Sequence, residues 1–184
     1  MNLQAQRIVL WSTAWLAIAG LDLQPSLAQP RTPRSYSVPQ QTSLCPEGEA
    51  TTFSCPIGRK VVSLCVAGRG SQPGVIRYVF GKPGNVELAL ANSPGSDVRV
   101  TYGSLSYSGG GGDYVRVRNG HFAYVVYSAL GRGWEQEGLV VEKDGHQISA
   151  KQCAGPGGAL GPNGWQDVYA AHLPPDKEGF EMPD

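Results

Sequence analysis

The chain has 184 residues, with 15 basic and 15 acidic side chains and a formal net charge of zero. The charges are scattered, with no basic stripe for a nucleic acid or an anionic membrane. Four cysteines, with 25 glycines and 14 prolines between short apolar runs, point instead to a chain of many turns tied by disulfides.

Residues 1–28 have the three parts of a signal peptide. Arg7 gives the positive end, Ile8 to Leu21 is apolar but short of a membrane span, and Ser26-Leu27-Ala28 offers small residues for cleavage after Ala28. Removing this segment takes away Arg7 and Asp22, so 15 − 1 leaves 14 charges of each sign. No cysteine closely follows the apolar run, which argues against a lipid anchor. The mature chain is therefore expected to be exported, to the periplasm or beyond the cell, with no transmembrane span after cleavage. Residues 29–44, rich in Pro, Gln, Ser and Arg, read as a flexible leader.

Order is expected over residues 45–153. Thr51 to Cys65 reads as a first hairpin about Pro56-Ile57-Gly58-Arg59, with Phe53 opposite Val62 and Thr51 opposite Leu64. Val75 to Phe80 and Val86 to Ala91 flank Gly81 to Asn85, which sets Phe80 against Val86, Tyr78 against Leu88 and Ile76 against Leu90. Val98 to Ser108 reads as a long strand bent at Gly103, with Leu105 and Tyr107 opposite Val117 and Val115. Asn119-Gly120 then pairs Val117 with Phe122 and Val115 with Tyr124. Asp144-Gly145 pairs Val141 with Ile148 and Leu139 with Ala150, leaving Glu142 and Gln147 facing water. The fold class is thus all-β: an antiparallel up-and-down β-barrel or a sandwich of about eight to nine strands, the barrel being favoured because closure removes the edges.

Strand phase bears on the disulfides. Cys55 shares a face with Phe53, whereas Cys65 is one residue out of phase with Leu64, so these two should not bond. Cys153 is out of phase with Ile148 and Ala150, like Cys65, which leans to Cys65 with Cys153 and Cys45 with Cys55 provided no bulge intervenes. Residues 154–184 read as a Gly/Pro-rich C-terminal extension, either with a short helix or as a mobile tail: in the helix, Asn163 is the candidate cap, Trp165, Val168, Tyr169 and His172 share a face, and Pro174-Pro175 stops it.

The patterns Phe53-Ser54-Cys55, Ser63-Leu64-Cys65, Tyr78-Val79-Phe80-Gly81-Lys82-Pro83-Gly84 with Glu87-Leu88, and Gly138 to Cys153 resemble a group of uncharacterised exported bacterial proteins, over Cys45 to Cys153. That resemblance implies a structure and no activity. Ser108-Gly109-Gly110-Gly111-Gly112-Asp113-Tyr114 is similar to the Ser-Gly-x-x-Tyr loop that periplasmic lysozyme inhibitors, small disulfide-tied β-barrels, insert into the lysozyme cleft, with two extra residues between Gly109 and Tyr114.

Read for its chemistry, that stretch is a glycine-rich binding loop with Ser108, Gly109 and Asp113 as polar contacts and Tyr114 as anchor; the plain alternative is a permissive hairpin tip. Trp134, in the loop Gly131 to Gly138, is a second candidate for stacking on a ligand or partner. Arg116 and Arg118 alternate with valines as a polar strand face. His121, His146 and His172 lie apart, Glu135 and Glu137 lack a catalytic context, and the cysteines read as disulfides, so no enzyme, metal or cofactor is expected. The function expected is an envelope binding protein, lysozyme-inhibitor-like, with an extracellular or envelope protein or glycan as partner. The alternatives are a carbohydrate or small-ligand binder with Trp134 or Tyr107 at the mouth of its site, and a structural envelope protein.

Overall fold

The computed structural model describes residues 42–68, 74–154, 159–161 and 163–183. The expected signal peptide and most of the leader lie outside them. Nine strands follow one another: β1 (Ala50–Ile57), β2 (Lys60–Ala67), β3 (Val75–Lys82), β4 (Asn85–Ala91), β5 (Arg99–Tyr107), β6 (Gly110–Asn119), β7 (Phe122–Gly131), β8 (Trp134–Lys143) and β9 (His146–Gln152), before one short helix, α1 (Gln166–Ala170). They form two antiparallel sheets, β1 to β4 and β5 to β9, each in sequence order. The expected all-β class is present, as two sheets and not as a closed barrel. The sheet divides at 92–98, where Pro94 cannot donate to a ladder and Gly95 has φ +82°.

The sheets share one core. Phe53, Val62, Leu64, Ile76, Tyr78 and Leu90 of the first meet Val100, Val115, Val117, Val126 and Leu139 of the second. Tyr78 and Tyr124 touch across the layers with ring centroids 4.9 Å apart. Burying such rows is the main force that holds two amphipathic sheets together.

Most expected registers slip by an even number of residues, and their faces survive. Tight two-residue turns at Gly58-Arg59, Pro83-Gly84 and Gly120-His121 place Phe53 opposite Leu64, Tyr78 opposite Leu90, and Val117 opposite Tyr124. Bulges at Thr51/Phe53 and Phe80/Gly81 absorb the remainder. A slip of two keeps each side chain on its face, whereas a slip of one reverses it.

Two slips are odd, and each overturns an expectation. Asp144-Gly145 turns as expected, but a bulge between Val141 and Glu142 sets Val140 against Ala150 and Leu139 against Lys151. Cys153 therefore shares the phase of Ser149 and Lys151 and points to the core, and Ile148 is left 56 % exposed. Glu142 keeps its expected outward phase but is buried beside Arg116 instead of facing water. The disulfides are Cys55–Cys153 and Cys45–Cys65, in place of Cys65 with Cys153 and Cys45 with Cys55. Cys55–Cys153 ties the two sheets together, while Cys45–Cys65 ties residues 42–45 over the outer side of the first sheet. There Ser54 Oγ donates to the Thr42 carbonyl at 2.7 Å and Leu44 N–H donates to Ser63 Oγ at 3.0 Å.

The second odd slip is in β5, where Val100 and Tyr102 oppose Val117 and Val115, so Leu105 and Tyr107 turn to the far side of the sheet. Much of that far side is also buried, Leu105 included, though Tyr107 stays exposed. After α1, residues 174–183 form a strap whose first residues pair with the β5 edge, with Tyr102 N–H donating to the Pro174 carbonyl at 3.1 Å and Asp176 N–H to the Tyr102 carbonyl at 2.7 Å. The strap then crosses the outer face. Arg116, expected on a polar face, is 4 % exposed beneath it: its Nε donates to Asp176 at 2.6 Å, its Nη2 to the Gly179 carbonyl at 2.5 Å, and its Nη1 to Glu142. Burial alone pushes that guanidinium's pKa down, but Asp176 and Glu142 outweigh it, so the pKa rises and the charge is kept. Arg118 remains at the margin, paired with Glu178 at 2.5 Å.

The C-terminal helix is shorter than its pattern. Trp165 and Val168 are buried, Trp165 lying 6.3 Å from Phe53, whereas Tyr169 is 41 % exposed and His172, at φ +50°, ends the helix in water. Asn163 makes no cap; its amide donates to Asp167 at 3.1 Å. Residues 159–161 extend the β1 edge, through Ser54 N–H to the Ala159 carbonyl and Gly161 N–H to the Thr52 carbonyl.

Two stability outcomes follow. Cys55–Cys153 closes 98 residues and Cys45–Cys65 closes 20. Replacing the first pair by alanine should cost about 5 kcal/mol and the second about 3 kcal/mol in urea unfolding, because the longer loop frees more chain entropy. Arg116→Met should cost about 3–5 kcal/mol, since it strands Asp176 and Glu142 as buried, unpaired carboxylates. Limited proteolysis should then cleave the chain after Ala171 faster than in the parent.

Candidate binding site

The outer face of the second sheet is laid out in cross-strand rows, and two of them combine glycine with aromatic residues. In the first row Gly103, Tyr114, Tyr127 and Gly138 are successive partners on β5 to β8. A Cβ built on Gly103 would meet the Tyr114 ring at 2.3 Å, and one on Gly138 would meet the Tyr127 hydroxyl at 2.8 Å. Each tyrosine therefore reaches over a glycine of the neighbouring strand, the arrangement in which an aromatic covers the backbone that glycine leaves bare. Phe180 of the strap closes over both, 5.1 Å from Tyr114 and 5.4 Å from Tyr127. Their burial pushes both phenol pKa values up.

The expected binding loop is thus a strand. Gly110, Gly111, Gly112, Asp113 and Tyr114 all belong to β6, and the turn is only Ser108-Gly109. The glycines serve close packing, since a Cβ on Gly112 would sit 2.2 Å from the Ser128 carbonyl oxygen. Tyr114 is 3 % exposed, a core residue that has no free surface to anchor a partner. Asp113 faces the inner side and accepts hydrogen bonds from Ser104 Oγ at 2.9 Å, from the Tyr169 hydroxyl at 2.9 Å and from the Tyr102 hydroxyl. Burial and the Asp113 hydrogen bond push Tyr102 well above the ordinary phenol range.

The second row inverts the order of the first. Tyr107, Gly110, Gly131 and Trp134 are successive partners, with the aromatics outside and the glycines between them. Cβ atoms on Gly131 and Gly110 would meet the Trp134 indole at 2.2 and 2.9 Å, so the ring covers the backbone of β7 and β6 at these glycines. Tyr107 stands against it with centroids 6.2 Å apart and planes at 73°. Tyr107 and Trp134 remain 38 % and 37 % exposed, and the strap's Pro183 carbonyl is held by Gln136 in the neighbouring row. The polar rim consists of Ser108 and Arg132, both exposed on the two adjoining hairpin tips; Arg132 N–H donates to the Gly109 carbonyl at 3.1 Å and ties the tips together. Of the residues singled out in the sequence, the structure brings Ser108, Gly109 and Trp134 to one end of the outer face. It leaves Asp113 on the other face and Tyr114 inside.

The remaining chemistry is dispersed. His121 pairs with Asp144 at 2.5 Å in the open, and His146 and His172 are exposed. Among the described residues no cluster of three His, Cys, Asp or Glu could hold a metal, and none forms a helix long and apolar enough to cross a membrane. Glu135 is exposed but Glu137 is buried on the inner side, accepting from Ser128 Oγ at 2.9 Å and from the Ala159 amide. Burial pushes the Glu137 carboxyl above its ordinary range and nearby Glu135 adds to this, against the pull of its two donors.

Comparison of the chain with known protein families, with curated proteins and with solved structures finds no match. What can be said of its function therefore rests on its own geometry.

A carboxyl whose folded pKa is raised adds stability below its unfolded value, 4.5, and loses it as pH rises through the folded value. Thermal melts from pH 4 to pH 8 should therefore show the parent losing stability relative to Glu137→Gln as pH increases. A constant difference across that range would place the Glu137 charge outside the energetics of the fold.

Proposed function

We propose that this chain is an exported, non-catalytic carbohydrate-binding protein whose ligand stacks on the Tyr107–Trp134 platform. One observation carries the reading: the Trp134 ring packs over Gly131 and Gly110 yet stays 37 % exposed, beside a second exposed aromatic ring and exposed polar groups. A sugar ring has an apolar face of C–H groups and an edge of hydroxyls, which suits an open aromatic face with a polar rim better than it suits an enclosed apolar pocket. The two disulfides fit an oxidising location, and the periplasm or the extracellular space is proposed as the compartment.

Insertion of a Tyr114 loop into a lysozyme cleft draws no support from a buried Tyr114 in a paired strand. A catalytic role draws none from carboxylates already engaged by hydroxyls and backbone amides.

Affinity electrophoresis through gels containing soluble glucans, chitin oligomers and peptidoglycan fragments is the direct test. At least one should retard the mature protein, and Trp134→Ala should weaken that binding by about tenfold or more with an unchanged circular dichroism spectrum. Full retention by the Trp134→Ala variant would remove the platform as the site.

A further inference from the structure

We infer that the platform seats the end of a glycan, one terminal sugar ring, and not the middle of a long chain; this rests on the carbohydrate reading above. Aromatic rings that serve successive units of a polysaccharide lie side by side with their faces in one plane. Here the Tyr107 plane meets that of Trp134 at 73° with centroids 6.2 Å apart, so the two rings form a corner and share no plane. Such a corner fits one ring.

The inward side of the corner is closed. The next row on the outer face is Leu105, Gly112, Ala129 and Gln136, about 6.6 Å further along the strands. That row lies under the strap: Met182 packs on the cluster containing Leu105 and Ala129, and Gln136 Nε2 donates to the Pro183 carbonyl at 2.8 Å. A second sugar in that direction would have to displace the strap. The open direction leads past the hairpin tips at Ser108-Gly109 and Arg132-Gly133, where a glycan leaves the protein after its first unit. The recognised chemistry is thus a terminal pyranose on a chain that points into solvent.

Calorimetric titration of the mature protein with β-1,4-linked glucose and N-acetylglucosamine oligomers, from one to six units, tests this. In the series that binds, affinity should rise to the disaccharide at most and then stay within about twofold up to the hexasaccharide. Truncation after Glu181, which removes the wall formed by Met182 and Pro183, should make the hexasaccharide bind more tightly than the disaccharide. An affinity that grows about tenfold between two and six units in the parent would overturn the chain-end assignment while keeping the platform. A truncated chain with the parent's flat length profile would overturn the role of the strap as the wall. If neither series binds, and gel retardation by every polysaccharide is likewise absent, the carbohydrate reading itself fails.

Discussion

A guanidinium that is 4 % exposed in the middle of a sheet must find its counter-charges within the protein, and Arg116 finds them in two places at once. Glu142 comes from β8 of the same sheet, and Asp176 from the C-terminal strap. An unpaired buried charge costs more than most side-chain contacts return, so the position of the strap is closely tied to that of Arg116. Once Asp176 is held there and the Gly179 carbonyl accepts from the same guanidinium, Phe180 falls onto Tyr114 and Tyr127. The middle of the second sheet is then buried on both faces, between the first sheet and the strap.

The same geometry explains why one aromatic row is core and the other surface. Both rows are built from two glycines and two large aromatics, and in both an aromatic ring lies over a neighbouring glycine backbone. Phe180 covers the row containing Tyr114 and Tyr127. The row containing Tyr107 and Trp134 lies one row further along the strands than Gln136, which holds the Pro183 carbonyl. Burial stabilises the first row, while exposure leaves the second free to contact a ligand.

The site was partly legible. Trp134 stood out because no alternating pattern absorbed it, and Tyr107 because it could line a mouth. The glycine run drew attention as well, but for a reason the structure does not bear out: its glycines let neighbouring strands and side chains approach closely and do not form a mobile loop. A sharper signal lay in the symmetry of Tyr107-Ser108-Gly109-Gly110 and Gly131-Arg132-Gly133-Trp134, two tight turns that each set an aromatic against a glycine. Arg116 gave no such signal, since alternation with valines describes a solvent-facing strand and a strap-covered one equally well. Glu137 was likewise indistinct, because its burial depends on Ala159, which is distant in sequence.

By itself the sequence determined that the domain is antiparallel β-structure with tight glycine turns, and it placed most strands and their apolar faces. Side-chain alternation has a period of two and survives a register error of two. It could not determine the disulfides, the buried side of β9 or the covering of the outer face. Cys153 turned inward because one bulge between Val141 and Glu142 reversed the phase of β9, and a single inserted residue leaves no trace in an alternating pattern. The strap took its place through pairing with the β5 edge and with a charge some 60 residues away in sequence, contacts that exist only once the sheet has formed. Local propensity acts over a few neighbouring residues, whereas these contacts are selected by packing across the whole domain.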